Sequence, residues 1–199
     1  MSGGLSQPPI HEVWERLIAD QSRNNQIVQD ALESIAAGRC PLIISDRKEH
    51  IATLESLIKE HLGDARGFVL VGELGKKKRK EVFEKIEDQI KERKPFYILS
   101  TGSFIGEGID IPILDTLILG MPISFKGRMK QYVGRIHRPF EGKKKVIVYD
   151  YLDPNTALTI SMFKKRVSAY KEMGYKIDSS LGTKTDRILY QRDLFSEFS

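Results

Sequence analysis

The chain is organised around the stretch Gln131-Tyr-Val-Gly-Arg-Ile-His-Arg138. Arg135 and Arg138 are three residues apart, so a helical conformation would bring both guanidinium groups to one face. Two planar guanidinium groups on one face are suited to clamp phosphate oxygens. Gln131 can hydrogen-bond a phosphate or a water, and Gly134, which costs a helix roughly 1 kcal/mol relative to alanine, indicates that another backbone comes close. The plainer alternative is a solvated basic helix face.

The composition is typical of a soluble globular protein. The 199 residues are 40% hydrophobic and 30% charged, which is enough for one domain with a real core. No apolar run approaches the roughly 20 residues that span a bilayer, and the N-terminus does not resemble a secretory signal. The single cysteine, Cys40, excludes an intrachain disulfide, and we expect no metal site. We expect a cytoplasmic protein without a membrane partner, whose net charge of +5 is compatible with a polyanionic partner but does not prove one.

Short apolar segments alternate with amphipathic ones along most of the chain. Strands are predicted at 42–44, 68–71, 96–99, 117–119 and 146–149. Amphipathic helices are predicted before, between and after these strands, with Asp46 and Asp153 as N-caps of two of these helices. This alternation predicts an α/β fold, in which a central, mostly parallel sheet is covered by helices on both faces.

Several unusual residues follow the predicted strands, at the carboxyl edge of the sheet, where α/β folds bind their ligands. Arg47, Gly72, Thr101 and Gly102 all lie shortly after a strand. An arginine, a hydroxyl and backbone N–H groups suit the phosphates of a nucleic-acid strand without reading its bases. We therefore predict that these four residues bind nucleic acid. Ordinary turn chemistry is the alternative for Thr101 and Gly72.

A second informative stretch, Thr101-Gly-Ser-Phe-Ile-Gly-Glu-Gly-Ile-Asp-Ile-Pro112, precedes the first. Its pattern T-G-x-x-x-G-E-G-x-D-x-P resembles motif V of superfamily 2 helicases, and Q-x-x-G-R-x-x-R resembles their motif VI. The two occur in the family's order, and Ile43-Ile-Ser-Asp-Arg-Lys-Glu-His50 resembles motif IV. The stretches Pro122–Arg128 and Tyr149–Asp153 resemble the restriction-type and excision-repair-type DNA helicases, rather than the DEAD-box RNA branch. The chain thus resembles the C-terminal RecA-like domain of such a helicase.

This resemblance implies roles for individual residues. Arg138 matches the position usually called the arginine finger, which reaches ATP held on another domain, and Arg135 matches its phosphate-binding companion. Asp110 matches an aspartate that commonly bonds the nucleotide ribose, although spacing alone favours an aspartate that caps a turn. Gly108, which would allow a tight backbone, and Gln131 complete the predicted nucleotide-binding set.

The chain contains neither G-x-x-x-x-G-K-[ST] nor a D-E-x-H box. The resemblance therefore implies half of a motor, inactive alone, with ATP and Mg²⁺ held mainly by an absent N-terminal RecA-like domain. The implied partners are that domain and nucleic acid, with DNA favoured over RNA. We divide the chain into a leader with a short helix (1–22), the helicase C-terminal domain (23–177) and a tail without clear periodicity (178–199). The alternatives are a stand-alone nucleic-acid-binding module and a different enzyme, such as a nucleotide transferase.

Overall fold

The chain folds around a seven-stranded sheet. A computed structural model describes residues 8–62, 67–72, 74–106, 109–123, 126–177 and 187–194. Within these residues the elements are, in chain order, α1 (Ile10–Ala19), α2 (Gln21–Ala36), β1 (Pro41–Ile44), α3 (Lys48–Leu62), β2 (Gly67–Leu70), α4 (Lys76–Lys91), β3 (Tyr97–Ser100), α5 (Gly102–Gly106), β4 (Thr116–Leu119), α6 (Lys126–Ile136), β5 (Lys145–Tyr151), α7 (Ala157–Glu172), β6 (Lys176–Ile177) and β7 (Arg187–Asp193).

The sheet is mostly parallel, as predicted. The strand order is β2-β3-β1-β4-β5-β7-β6. Strands β1 to β5 run parallel to one another, whereas β7 is antiparallel to both β5 and β6. The α/β fold class is therefore confirmed, with the five predicted strands in its parallel part.

Alternate side chains of the central strands point to opposite faces of the sheet, and both faces are covered by helices. On one face, Leu42 and Leu117 pack in a cluster with Tyr132 of α6. On the other, Ile43 and Ile118 pack with side chains of α2 and α3. Strands buried on both faces appear in the sequence as continuous apolar runs, which is why periodicity locates them well. The buried central strands position the loops at the carboxyl edge of the sheet.

The start of α7 differs from the prediction, because Asp153 is not its N-cap. The helix begins at Ala157, and Thr156 is the N-cap residue, whose side chain accepts a main-chain N–H of the first turn. Asp153 Oδ1 instead accepts a hydrogen bond from Arg23 Nε at 3.0 Å. Arg23 is buried, and a buried guanidinium group needs hydrogen-bond acceptors. The Asp153 carboxylate therefore pairs with Arg23 instead of capping α7.

Strand β7 lies in the stretch that the sequence predicted as a tail. It pairs with the whole of β5, from Lys145 to Tyr151, and buries Leu189 and Tyr190. Its apolar residues are consecutive rather than alternating, so period-2 analysis does not detect it. The domain boundary at residue 177 stays a prediction, but the structure places a strand beyond it in the same sheet.

The N-terminal helices differ in how they join this body. Helix α2 contributes to the core on one face of the sheet, whereas α1 packs through Val13 and Leu17 against Met121. Over the described part of the chain, no helix has the length and apolarity that crossing a membrane requires.

Candidate nucleotide and nucleic-acid site

The carboxyl edge of the sheet collects the strand ends that the sequence singled out. Hydrogen bonds continue past the regular strands, with Ser45 N donating to Ser100 O at 3.1 Å and Gly120 N donating to Ile44 O at 2.8 Å. These bonds hold the loops after β1, β3 and β4 side by side. Residues 45–47, 101–102 and 120–123 therefore lie together at this edge.

Asp46 connects the loop after β1 to helices α5 and α6. Its Oδ1 accepts a hydrogen bond from Gly102 N at 2.9 Å, and its Oδ2 lies 3.4 Å from Arg128 Nη1. A Cβ atom at Gly102 would lie 1.7 Å from Tyr132 Oη, so only glycine fits there. Asp46 does not cap α3 as predicted. Its carboxylate accepts the hydrogen bond from Gly102 N of α5, and α3 begins two residues later, at Lys48.

The four predicted nucleic-acid residues lie at this edge but differ in accessibility. Arg47 is exposed, and Gly72 is exposed with open space where a Cβ would be. Thr101 is only 7% exposed, and its hydroxyl lies 3.2 Å from Ser103 Oγ. Gly102 is buried by the close approach of α6. Arg47 and Gly72 therefore offer accessible groups to a strand, whereas Thr101 and Gly102 shape the edge beneath it.

Arg138 and Asp110 form an ion pair that joins the two informative stretches. Arg138 Nε lies 3.4 Å from Asp110 Oδ1, and the two side chains are 51% and 58% exposed. An ion pair this exposed contributes roughly 0–1 kcal/mol. The pair is therefore weak enough for either partner to exchange it for a ligand.

The expectation that Arg135 and Arg138 share one helix face was wrong in its geometry. Helix α6 ends at Ile136, so Arg135 lies in its last turn and Arg138 lies beyond it. Arg138 precedes Pro139, and a residue before proline is restricted away from the helical conformation. Arg135 therefore lies in the helix, whereas Arg138 lies in the turn that follows it.

Arg135 is the less exposed of the two arginines. Its Nε is buried and has no hydrogen-bond partner in the part of the chain that the structure describes. A buried guanidinium donor without an acceptor is costly, and an anionic ligand would supply one. This orphaned donor supports the prediction that Arg135 binds phosphate.

The remaining predicted nucleotide contacts are partly described. Gln131 is exposed on α6, and its Oε1 is 4.0 Å from where a Cβ of Gly106 would lie. Gly134 is exposed, and no described residue lies within 4 Å of the Cβ that it lacks, so the structure shows no close approach to it within the described part of the chain. Gly108 lies outside the described residues.

Lys143 contacts Arg138, although no sequence pattern indicated such a role for it. It is buried, and its Nζ donates to Pro112 O and to Arg138 O, both at 2.8 Å. Burial lowers the pKa of this amine to about 8, while the nearby Asp115 carboxylate opposes that shift. Lys143 begins a run of three lysines that looks like a solvated basic segment, which is why it was missed.

His50 and Arg23 form a second buried polar group that the sequence missed. His50 Nδ1 lies 3.1 Å from Ser45 Oγ, and its Nε2 lies 2.8 Å from Asn24 Oδ1. Arg23 Nη1 donates to Gly120 O at 2.5 Å. Burial, and secondarily the Arg23 cation, lowers the pKa of His50 to about 4. These contacts fix α2 to the loops after β1 and β4.

Among the described residues, no group of three or more His, Cys, Asp or Glu side chains could hold a metal ion. The donors at the edge are guanidinium and amide groups, which suit phosphate oxygens rather than a cation. That ATP and Mg²⁺ are held mainly by another domain stays a prediction.

The chain is similar to a known protein family and to curated viral proteins. Residues 23–140, more than half of the chain, match the helicase conserved C-terminal domain. Transcript termination protein A18 of Myxoma virus (strain Lausanne) is 26% identical over 190 residues, which cover 90% of this chain and 38% of the relative. The protein of that name from Rabbitpox virus (strain Utrecht) is 25% identical over 179 residues, 85% of this chain and 34% of the relative. The chain thus spans less than two-fifths of the length of these relatives.

Solved structures show the same fold. The crystal structure of T4 UvsW matches with a TM-score of 0.67 and 16% identity, over 83% of this chain and 35% of that chain. The structure of S. cerevisiae Dbp5 bound to RNA and ADP BeF3 matches with a TM-score of 0.53 and 18% identity, over 79% of this chain and 37% of that chain. The match over residues 23–140 shows that the chain belongs to the helicase conserved C-terminal domain family, and its sheet has the RecA-like fold of the solved helicase structures.

Proposed function

We propose that the chain is the C-terminal motor domain of an ATP-dependent superfamily 2 DNA helicase or translocase. ATP and Mg²⁺ would be held mainly by an N-terminal RecA-like domain, and this chain would supply Arg138 and Arg135 to the nucleotide. The active molecule would work in the cytoplasm on the phosphate backbone of DNA.

The observation that carries the proposal is the exposed pair of Arg138 with Asp110, next to the orphaned donor of Arg135. In phosphoryl transfer, negative charge is spread over the oxygens of the transferred group, and a guanidinium group placed there raises the rate about 10³–10⁵-fold. Arg138 is accessible and is held by a weak pair. Bringing a second domain against this surface would let Arg138 exchange Asp110 for phosphate oxygens.

Asp110 has its own role once that exchange occurs. Its carboxylate can accept hydrogen bonds from the hydroxyl groups of a ribose, as the resemblance implies. In the domain alone, the same carboxylate keeps Arg138 paired. Asp110 would therefore pair with Arg138 while the two domains are apart, and it would bind the ribose when they close around ATP.

The nucleic-acid part of the proposal rests on Arg47 and Gly72, which are exposed at the carboxyl edge of the sheet. DNA is favoured because motif VI begins with Gln131 rather than with the histidine usual in the DEAD-box RNA branch. The relatives are named transcript termination proteins, which is consistent with work on nucleic acid during transcription. RNA as the strand that is bound is an outcome that the binding measurements would detect.

The test uses a longer chain that also carries the N-terminal domain. Arg138→Ala should lower the kcat for ATP hydrolysis by about 10³-fold while DNA affinity stays unchanged, and Arg138→Lys should not restore it, because a point charge cannot replace the planar donor fork. Arg47→Ala should do the opposite and weaken DNA binding while sparing the basal rate. Arg93→Ala, an exposed arginine after α4, is the matched control and should change neither.

Two results would contradict the proposed function. Loss of DNA binding with intact ATPase in Arg138→Ala would favour the stand-alone binding module. The 199-residue chain alone should show no ATPase, since it lacks the phosphate-binding lysine and the D-E-x-H carboxylates. Robust turnover by that chain, insensitive to Arg138→Ala, would overturn the proposal.

A further inference from the structure

A cavity of about 510 Å³ opens at the carboxyl edge beside Arg47. Its apolar lining comes from three elements, with Trp14 on α1, Met121 after β4 and Met162 on α7. Arg47 and Arg128 supply its basic groups. The cavity thus combines an aromatic and thioether lining with guanidinium groups.

Trp14 is the only tryptophan of the chain. It is half-buried, packs against the small cluster of Val13, Leu17 and Met121, and lines the cavity. Helix α1 lies before residues 23–140, so this aromatic side chain comes from outside the matched helicase segment. The family motifs therefore assign it no role.

The charge of the cavity favours an anionic ligand. Asp46 also lines it, but both carboxylate oxygens are engaged, one by Gly102 N and the other by Arg128. Arg47 forms no ion pair with the rest of the described chain, and its side chain is exposed. A ligand entering here meets an unpaired guanidinium next to an apolar wall.

We propose that this cavity receives one unpaired base of the bound strand, stacked against the Trp14 indole, while Arg47 contacts the adjoining phosphate. The proposal rests on the proposed nucleic-acid binding and names a subsite within it. Bases stack on aromatic side chains without regard to sequence, because every base has a π face. Methionine thioethers also pack favourably against aromatic rings, so Met121 and Met162 suit the rest of the wall.

The combination of groups selects this occupant over others. An apolar peptide would leave the unpaired Arg47 cation without a partner. A bare phosphate would satisfy Arg47 but would leave the indole and the thioethers facing water. A nucleotide unit carries both a flat apolar base and a negatively charged phosphate, which match the apolar wall and the guanidinium group of the cavity.

Because Trp14 is the only tryptophan, its emission reports on this cavity alone. The 199-residue chain is titrated with a fluorescein-labelled single-stranded DNA for anisotropy, and with the same unlabelled strand for tryptophan emission. We expect emission to be quenched at the strand concentration that saturates the anisotropy. An abasic strand of equal length, which keeps the phosphates and lacks the bases, should bind at least about five-fold more weakly and leave the emission unchanged.

Variants separate stacking from charge. Trp14→Ala should weaken binding to the base-bearing strand about five-fold or more, leave the salt dependence unchanged and make the base-bearing and abasic strands equivalent. Trp14→Phe, the matched control, should retain most of the affinity. Arg47→Ala should weaken binding to both strands and reduce the slope of log K against log salt concentration by about one.

The outcomes distinguish this proposal from the one on which it rests. Strand binding with unchanged Trp14 emission, or equal quenching by the abasic strand, overturns the base pocket and leaves nucleic-acid binding standing. Absence of binding to every strand overturns both. Since the abasic comparison is made on the unaltered chain, an unfolded Trp14→Ala variant does not remove the test.

Discussion

Lys143 Nζ donates a hydrogen bond to the main-chain oxygen of Arg138 at 2.8 Å, and it donates another to Pro112 O at the same distance. Lys143 is 8% exposed, so these two carbonyl groups have a buried donor between them. One lysine thus fixes the end of one informative stretch against the end of the other. The location of Arg138 depends on a residue that belongs to neither stretch.

Replacing that lysine should affect stability and catalysis together. Lys143→Met keeps most of the length of the side chain but removes the donor of two part-buried hydrogen bonds, which should lower the free energy of unfolding by about 1–3 kcal/mol. In a longer chain with the N-terminal domain, we expect a fall in kcat of about ten-fold with little change in KM, because the arginine is displaced by only a small distance. Urea unfolding and ATPase kinetics measure the two effects.

Lys144→Met, at the exposed neighbouring position, is the control and should change neither quantity. A Lys143→Met chain that loses stability but keeps its full kcat would show that this lysine stabilises the fold without positioning Arg138.

Two glycines at the site should respond to alanine in opposite ways. Gly102→Ala places a Cβ 1.7 Å from the buried Tyr132 hydroxyl, so we expect a loss of about 1–3 kcal/mol in the free energy of unfolding. Gly134→Ala adds a Cβ at an exposed position of α6 with no described residue within 4 Å, and it should gain roughly 0.5–1 kcal/mol. Thermal unfolding of both variants tests these signs.

The Gly134 variant also tests the approach of another domain. If a second backbone packs there, Gly134→Ala should lower the ATPase rate of the longer chain although it stabilises this domain. A more stable variant with unchanged turnover would contradict the close approach.

The stability of the domain should depend on pH through His50. Burial lowers the pKa of His50 to about 4, so between pH 4 and its ordinary value near 6.5 the unfolded chain binds more protons than the folded one. The contribution is therefore fully present above pH 6.5 and is lost as pH falls towards 4. Burial raises the pKa of Asp30 to about 6, and this carboxyl group opposes the trend.

The variant His50→Gln isolates the histidine, because Asp30 is common to both chains. We expect it to be less stable at pH 7, but to lose less stability than the unaltered chain between pH 7 and pH 4, by up to about 3 kcal/mol. His11→Gln, on the exposed face of α1, should reproduce the unaltered pH curve. Parallel curves for His50→Gln and the unaltered chain would show that His50 is not the titrating group.

Strand β7 should be required for the domain to fold. Arg187 pairs with Asp30, which is 0% exposed and also accepts a hydrogen bond from Tyr151 Oη at 2.7 Å. Arg187→Ala leaves a buried carboxylate without its cation and should cost about 3–5 kcal/mol, whereas Lys176→Ala on exposed β6 should cost almost nothing. A chain ending at Ile177 should lose cooperative unfolding, since β5 then has no partner on one side.

The combination of Arg187→Ala with Asp30→Asn provides the check. It removes both charges, so it should recover part of the stability lost in Arg187→Ala. Full stability and cooperativity in a chain ending at residue 177 would instead support the boundary predicted from the sequence.

The parallel core and its functional edge were predictable from the sequence. Runs such as Leu42–Ile44 and Leu117–Leu119 are apolar without alternation because helices cover both faces of those strands. Once the strands are parallel, their carboxyl ends must meet at one edge, which places Arg47 and Thr101 together. The Arg138 and Asp110 positions followed from residue patterns that resemble a known family.

Other features were decided only by the tertiary structure. Asp46 and Asp153 have the local pattern of N-caps, but each binds a group that lies more than 50 residues away in the sequence, Gly102 N and Arg23 respectively. Lys143 looks like part of a solvated run, and β7 has no strand periodicity. The hydrophobic pattern of a segment indicates which of its faces is buried. The partner of a buried charge or of an edge strand depends instead on which distant segments the topology brings together.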